Sequence, residues 1–314
     1  MVITAEPSGL AHDALFYEDR DDYVASMLDF VRAGLAQSEP VLVAVPEPNL
    51  SRLRAAFTAD EAGRVRTADM SVAGRNPGRI IGTVLTRFVA EHRGRRVRII
   101  GEPIWADRTA VEYPACAEHE ALINLALADA PAHILCPYDA QRLTEPVLRD
   151  ALRTHPTIAH GPARWPSPHY ADPAAVAASF DRGLVPAPED AGILRIDHWT
   201  GPKEARRFVH DFAESAGLAP DRVDDLRRIV QELAVNTLVH SGGSGLLGVW
   251  VEDGHVVVQV QDGGRFTDPL VGRRPPSPPE VGHGLFLVHS LADLVRVHHG
   301  CDGTTVRAFV ALPD

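Results

Sequence analysis

Cysteine is scarce in this 314-residue chain. Cys116, Cys136 and Cys301 are too few and too scattered for a disulfide framework, which fits a reducing compartment. No uninterrupted apolar run approaches the roughly 20 residues needed to span a bilayer. The start, MVITAEPSGLAHDALFYEDRD, lacks the basic stretch and apolar core of a secretory signal. The expected location is the cytoplasm, with no membrane attachment. Positive charge is also short: 31 Lys and Arg face 42 Asp and Glu, a net charge of −11, which argues against direct nucleic-acid binding as the main activity. The basic patch HRGRRVR (92–98) runs straight into VRII and reads as the entrance of a strand.

What is present is the composition of a folded globular protein, 45% hydrophobic and 23% charged, in a length that fills about two domains. The first half alternates short β-branched runs with helical periodicity. HDALFYE (12–18), PVLVAVP (40–46), RVRTADM (64–70), VRIIGEPIW (97–105) and AHILCPYD (132–139) read as strands. Between them, 21–37, 48–59, 78–94 and 116–128 carry apolar residues at helical spacing, and a last helix covers 143–156. Strands separated by helices argue an α/β domain with a mostly parallel sheet over 1–160. From 161 to 192 the composition turns to proline and small residues, a connector with room for one short helix near 173–182.

The second domain, 193–314, begins with a strand at 193–199. Helices follow at 201–218 and 223–240, then two antiparallel strands within 245–262 joined by a tight turn at Asp253-Gly254. A helix at 285–293 precedes two closing strands that turn near 300–303. This pattern predicts an α+β sandwich with helices on one side of the sheet. The segment VGRRPPSPPEVGHG (271–284) reads as a stiff or disordered loop.

Within that domain four pieces carry chemistry. The helix stretch QELAVNTLVHSGG places Glu232, Asn236 and His240 in one row at intervals of four. Such a row is ordinarily the wet side of a helix; three other segments of the domain make it a candidate site. Asp262-Gly263-Gly264 ends a strand, Gly282-His283-Gly284 precedes a helix, and Gly303-Thr304-Thr305 opens the last strand. An amide oxygen can complete a magnesium sphere whose other ligands are nucleotide phosphates. A carboxylate at a strand end can accept from the exocyclic amine of adenine. Glycines at a helix start let phosphate approach free N–H groups. Glu232, one turn before Asn236, can orient or deprotonate an attacking hydroxyl.

In order and spacing, residues 193–312 resemble the ATP-binding domain shared by histidine kinases, gyrase, Hsp90 and MutL, and within it the compact anti-sigma-factor serine/threonine kinases. The family's N box matches Glu232, Asn236 and His240. Its glycine boxes match Asp262, Gly263 and Gly264, then Gly282 and Gly284, and last Gly303, Thr304 and Thr305. The resemblance implies an α/β sandwich binding Mg-ATP, with Asp262 on adenine, Asn236 on Mg2+ and Glu232 as the base toward a partner's hydroxyl. It also implies a homodimer, and as partner a sigma factor or an anti-sigma-factor antagonist carrying a phosphorylatable serine or threonine. The first glycine box continues Arg265-Phe266-Thr267 where many relatives have another glycine. The proline-rich lid has no basic residue between Pro275 and Gly284. Arg273, Arg274 or Arg307 would have to meet the phosphate charge. A non-catalytic ATP-binding module that sequesters its partner is therefore the rival to a kinase.

In the first domain HDALFYEDRDDYV, GEPIW, EHEALIN, CPYD and THP resemble the MEDS domain, a sensory module named from methanogen and methylotroph regulators. That implies an input role with a small-molecule ligand of unknown identity. The polar residues His12, Glu102, His119, Glu120, Cys136 and Asp139 fall at strand ends or on a helix face, where open α/β sheets form clefts. Three readings stay open for them: a hydrogen-bonded network that fixes loops, a small-molecule pocket, or a metal site drawn from His12, Glu102, His119 and Cys136.

Overall fold

The computed structural model describes residues 9–161, 163–275 and 283–313. The chain folds as two compact units, Met1–Phe180 and Asp181–Asp314.

In the first unit, β1 (Ala11–Tyr17), β2 (Val41–Val45), β3 (Val65–Asp69), β4 (Val97–Gly101), β5 (Ala132–Asp139), β6 (Thr157–His160) and β7 (Ala163–Pro166) form one sheet in the order β3-β2-β4-β5-β1-β6-β7. All neighbours are parallel except the β6–β7 hairpin. β2 and β4 are buried at every position, as a parallel sheet covered on both faces requires. On one face Leu15, Val43, Ile100 and Leu135 pack with Met27, Val31 and Leu35 of the helix Arg20–Ala36 and with Leu50 and Leu53 of the helix Asn49–Ala56. Each such side chain, fully buried, is worth ~1.5–3 kcal/mol. The first of these helices starts cleanly because Asp19 accepts from the N–H groups of Asp21 and Asp22, an N-cap.

Two features differ from the pattern read along the chain. The stretch 78–94, periodic enough for one helix, is interrupted by a π-helical turn at Ile81–Leu85 between Pro77–Ile80 and Thr86–Glu91. The stretch after residue 156 supplies two further strands and the short helix Pro173–Ala178. Thr157–His160 pairs with the edge of β1 and Ala163–Pro166 pairs with it in turn, so the start of the proline-rich region is sheet rather than connector. Its strands run only four residues, too short for periodicity to register.

In the second unit, β8 (Gly192–Ile196), β9 (Gly245–Glu252), β10 (His255–Asp262), β11 (Leu294–Gly300) and β12 (Gly303–Ala311) make an antiparallel sheet in the order β11-β12-β10-β9-β8. Asp253 and Gly254 both take positive φ in the β9–β10 turn, as a two-residue hairpin demands. The helices Gly201–Ser215, Pro220–His240 and His283–Leu291 share one core with Val249, Val256, Val258, Val260, Val306, Ala308 and Val310 of the sheet. Residues that alternate with these, Gln259 and Arg307 among them, face the other way.

Candidate functional sites

The Pro220–His240 helix buries Leu226, Ile229, Val230, Leu233, Ala234 and Thr237 and leaves Glu232 and Asn236 half-buried along its flank. Strand β10 brings Asp262 to this helix. Thr237 Oγ1 donates to Asp262 Oδ2 at 2.7 Å, and the Gly264 N–H donates to Asp262 Oδ1 at 2.9 Å. Strand β12 pairs Thr304 opposite Asp262, and Thr304 Oγ1 donates to the Gly264 carbonyl at 2.8 Å. Helix, strand end, glycine turn and last strand therefore close one hydrogen-bonded ring around the carboxylate. Gly303 permits that closure. Its φ of +126° suits only glycine, and a β-carbon on it would stand 1.9 Å from the Asp262 carbonyl oxygen.

Gly284, in the first turn of its helix, lies directly against the polar row. A β-carbon there would stand 3.1 Å from both Asn236 Oδ1 and Glu232 Oε2. Glu232 also lines a cleft of about 230 Å³ with Arg206, Asp224, Arg227, Arg228, Gln231 and Leu287. His240 ends the helix with its side chain exposed, and Thr237 takes the place beside Asp262. That threonine escaped sequence reading because it sits on the apolar face rather than in the polar row; its signal is a hydroxyl among Leu233, Ala234 and Leu238. Gly282 lies outside the described residues, as does most of the proline-rich lid. Arg265 donates to the carbonyls of Gly300 and Cys301. Arg307 donates to Gln259 Oε1 and the Val185 carbonyl and stacks on Trp250, on the face of the sheet away from the helices. It cannot serve phosphate on the helix side.

In the first unit the six candidate residues do not converge. Glu102, just past β4, and Asp139, the last residue of β5, share a cleft of about 230 Å³ with Tyr17, Arg20, Arg52, Trp105 and Arg142. Tyr23 donates to Glu102 Oε2 at 3.0 Å, and Asn49 Nδ2 reaches both carboxylate oxygens. Burial outweighs these bonds and, with Asp139 nearby, pushes the Glu102 carboxyl up to about 8. At neutral pH it is therefore mostly a neutral acid, able to donate. Asp139 caps the following turn by accepting from the N–H groups of Gln141 and Arg142.

His12, Glu120 and Cys136 meet elsewhere, on the sheet face under the Tyr113–Ala126 helix, and His155 joins them. The metal set expected from sequence is thus corrected in two members. Register aligns His12 with Ile134 and Ile134 with Ile99, three residues short of Glu102, or ~10 Å along the sheet. His119 is buried on the same helix but precedes Glu120 by one position, a turn of about 100° about the axis. His155, just after the helix Glu145–Thr154, was visible only as part of THP.

The two units thus define two classes of domain, an α/β module with a cleft at its strand ends and a helix-backed antiparallel sandwich. Residues 11–156 match the family model of the MEDS domain, the MEthanogen/methylotroph, DcmR Sensory domain. Residues 202–310 match the model of the histidine kinase-like ATPase domain. The chain is a MEDS domain followed by a histidine kinase-like ATPase domain. No curated protein matches it. No described helix is long and apolar enough to cross a membrane.

Proposed function

We propose that the chain is a cytoplasmic sensory regulator whose second domain binds Mg-ATP and acts on a sigma-factor switch. It would phosphorylate a serine or threonine of an anti-sigma-factor antagonist, sequester a sigma factor, or both. The observation that carries this reading is the convergence of residues from four separate segments: Glu232 and Asn236, Asp262 with Gly264, Gly284, and Thr304. The residues fit the group. Asn236 Oδ1 is a hard oxygen donor suited to magnesium, and it faces, beside Glu232 Oε2, the glycine in the first turn of the next helix. Bound Mg-ATP supplies the transferable γ-phosphoryl group.

Among the chain's own groups, Asn236 would hold the magnesium. Each Asp262 oxygen accepts one internal hydrogen bond and keeps a lone pair for the exocyclic amine of adenine. Gly264 and Gly284 would admit close backbone approach, buried Thr304 would hold the Gly264 turn through its hydroxyl, and the exposed His240 would complete the nucleotide side. Glu232 takes the proton of the incoming hydroxyl, which reaches it through the arginine-lined cleft. One observation favours the non-catalytic alternative: Arg307 is committed to the opposite face and cannot neutralise developing phosphate charge. In the first domain we place the unidentified small-molecule ligand in the cleft holding Glu102 and Asp139, where a neutral carboxyl and three arginines offer donors.

Calorimetry of the full chain with Mg-ATP tests the nucleotide reading. Asp262→Asn should weaken binding by ~1–3 kcal/mol, about 5- to 150-fold. A folded wild-type chain with no affinity for ATP or ADP would sink the proposal.

A further inference from the structure

Glu120 is completely buried, as are His12, Cys136 and His155 around it. The carboxylate makes no well-directed hydrogen bond, yet its Oε2 lies 3.4 Å from His12 Nε2 and 3.0 Å from His155 Nε2. Cys136 Sγ stands 3.4 Å from His12 Nε2. One donor atom from each of the four residues falls within 4.8 Å of all the others.

The surrounding hydrogen bonds turn both imidazoles toward the carboxylate. The amide nitrogen of Asn124 donates to the carbonyls of Thr154 and Ala121, which turns Asn124 Oδ1 toward His12 Nδ1 at 3.1 Å. His12 must therefore carry its proton on Nδ1. His155 Nδ1 meets the Ala151 carbonyl at 2.8 Å and is fixed the same way. Each Nε2 then points at a carboxylate oxygen and, in the neutral imidazole, is the nitrogen left to ligate a metal. The Cys136 thiol has one hydrogen to offer, which can serve only one of the remaining acceptors.

The neighbouring residue on β1 shows how this fold otherwise handles a buried acid. Asp13, on the opposite face, is met by His133 Nε2 at 2.7 Å, by the Arg164 guanidinium and by Thr157. Glu120 is met instead by two imidazoles and a thiol, with no guanidinium among the described contacts. Donors of this kind, two imidazoles, a carboxylate and a thiolate, are those of tetrahedral zinc. Tetrahedral ligands at ~2.0–2.3 Å from the ion stand ~3.3–3.7 Å apart, close to the spacings found here. The Nδ1 bonds to a carbonyl and an amide oxygen are the outer shell that orients ligating imidazoles.

We propose that His12, Glu120, Cys136 and His155 bind one divalent transition-metal ion of zinc type in a closed, four-protein-ligand site. On binding, the Cys136 S–H bond breaks, a sulfur–metal bond forms, and the proton leaves to solvent. The ion's two positive charges are then balanced by one thiolate and one carboxylate, so the buried site is neutral overall. The ion would join β1 and β5 at the middle of the sheet to the Tyr113–Ala126 helix and to the end of the next one. This inference is independent of the nucleotide reading.

The test uses the full chain, purified without chelator, with elemental analysis, followed by chelator treatment and reloading with zinc or cobalt. One metal per chain is expected. Cobalt should show a thiolate charge-transfer band and the intense visible bands of four-coordination. His155→Gln should weaken metal binding by at least about tenfold. Cys136→Ser should abolish the charge-transfer band, while Cys301→Ser, at the exposed cysteine, should keep it. Metal removal should lower the unfolding midpoint by ~10 °C or more. X-ray absorption on the wild type at the zinc edge, which requires no variant to fold, should find one sulfur and three nitrogen or oxygen neighbours. A folded, chelator-treated chain that takes up neither ion overturns the proposal. So does a cobalt band that survives Cys136→Ser and disappears with Cys301→Ser, or a zinc edge without sulfur.

Discussion

Replacing Gly284 by alanine separates a binding site from a packing contact. The new β-carbon would stand 3.1 Å from Asn236 Oδ1, 3.1 Å from Glu232 Oε2 and 3.2 Å from Asn236 Nδ2. These atoms are the ends of flexible, half-buried side chains, so a few tenths of an ångström of yielding relieves the contact cheaply. The backbone at Gly284 lies within a regular helix and needs no positive φ, and alanine there gains up to ~1 kcal/mol over glycine. Folding stability should therefore hold or rise slightly in urea unfolding. Nucleotide binding should go the other way. Magnesium tolerates little departure from its ~2.0–2.1 Å ligand distance, and the side chain that must yield is the one assigned to it. A loss of about 10- to 100-fold in Mg-ATP affinity, ~1.4–2.7 kcal/mol, is expected by calorimetry. Gly63→Ala, also within a helix and with nothing near a β-carbon, should hold or raise stability in the same way and leave affinity unchanged. Unchanged affinity in a stable Gly284→Ala chain would refute the assignment of Asn236. A large loss of stability would show instead that this approach is core packing.

Gly303→Ala should be far more damaging to the fold, because a contact of 1.9 Å with a backbone carbonyl is compounded by a φ of +126°. A cost of at least ~3 kcal/mol is expected in chemical denaturation. Glu232→Ala should leave Mg-ATP affinity nearly intact and slow phosphoryl transfer to an antagonist about 10²–10⁴-fold in a radiolabel assay; equal rates would remove Glu232 from the role. Glu102 predicts a pH dependence. Its folded carboxyl titrates near 8 against an ordinary value of 4.5, so the folded state holds a proton that the unfolded state has released. The stability linked to it is fully present below about pH 4.5 and lost as pH rises toward about 8, by a few kcal/mol in all. Urea midpoints of Glu102→Gln, which resembles the protonated acid, should fall less steeply over that range, and parallel slopes would show that Glu102 does not titrate there.

Much of the second domain was legible along the chain because its signals are local. Helical period alone puts Glu232 and Asn236 on one flank, and the Asp253-Gly254 pair announces the β9–β10 turn, where both residues take positive φ. The contacts that make a candidate site of them are not local. Thr237 reaches Asp262 across 25 positions, and Gly284 meets Asn236 only because two helices pack on one sheet face. The first domain shows the limit more sharply. Strand and helix were readable in His12, Glu102, Glu120 and Cys136, but which of them meet depends on strand order and register. Placing β5 beside β1 and β6 beyond it brings Cys136 and His155 to His12, while the same parallel register carries Glu102 to the far end of the sheet. Sequence spacing specifies the direction in which a side chain leaves its own backbone. Which distant side chain it then faces is decided by how whole strands and helices bury their apolar faces together.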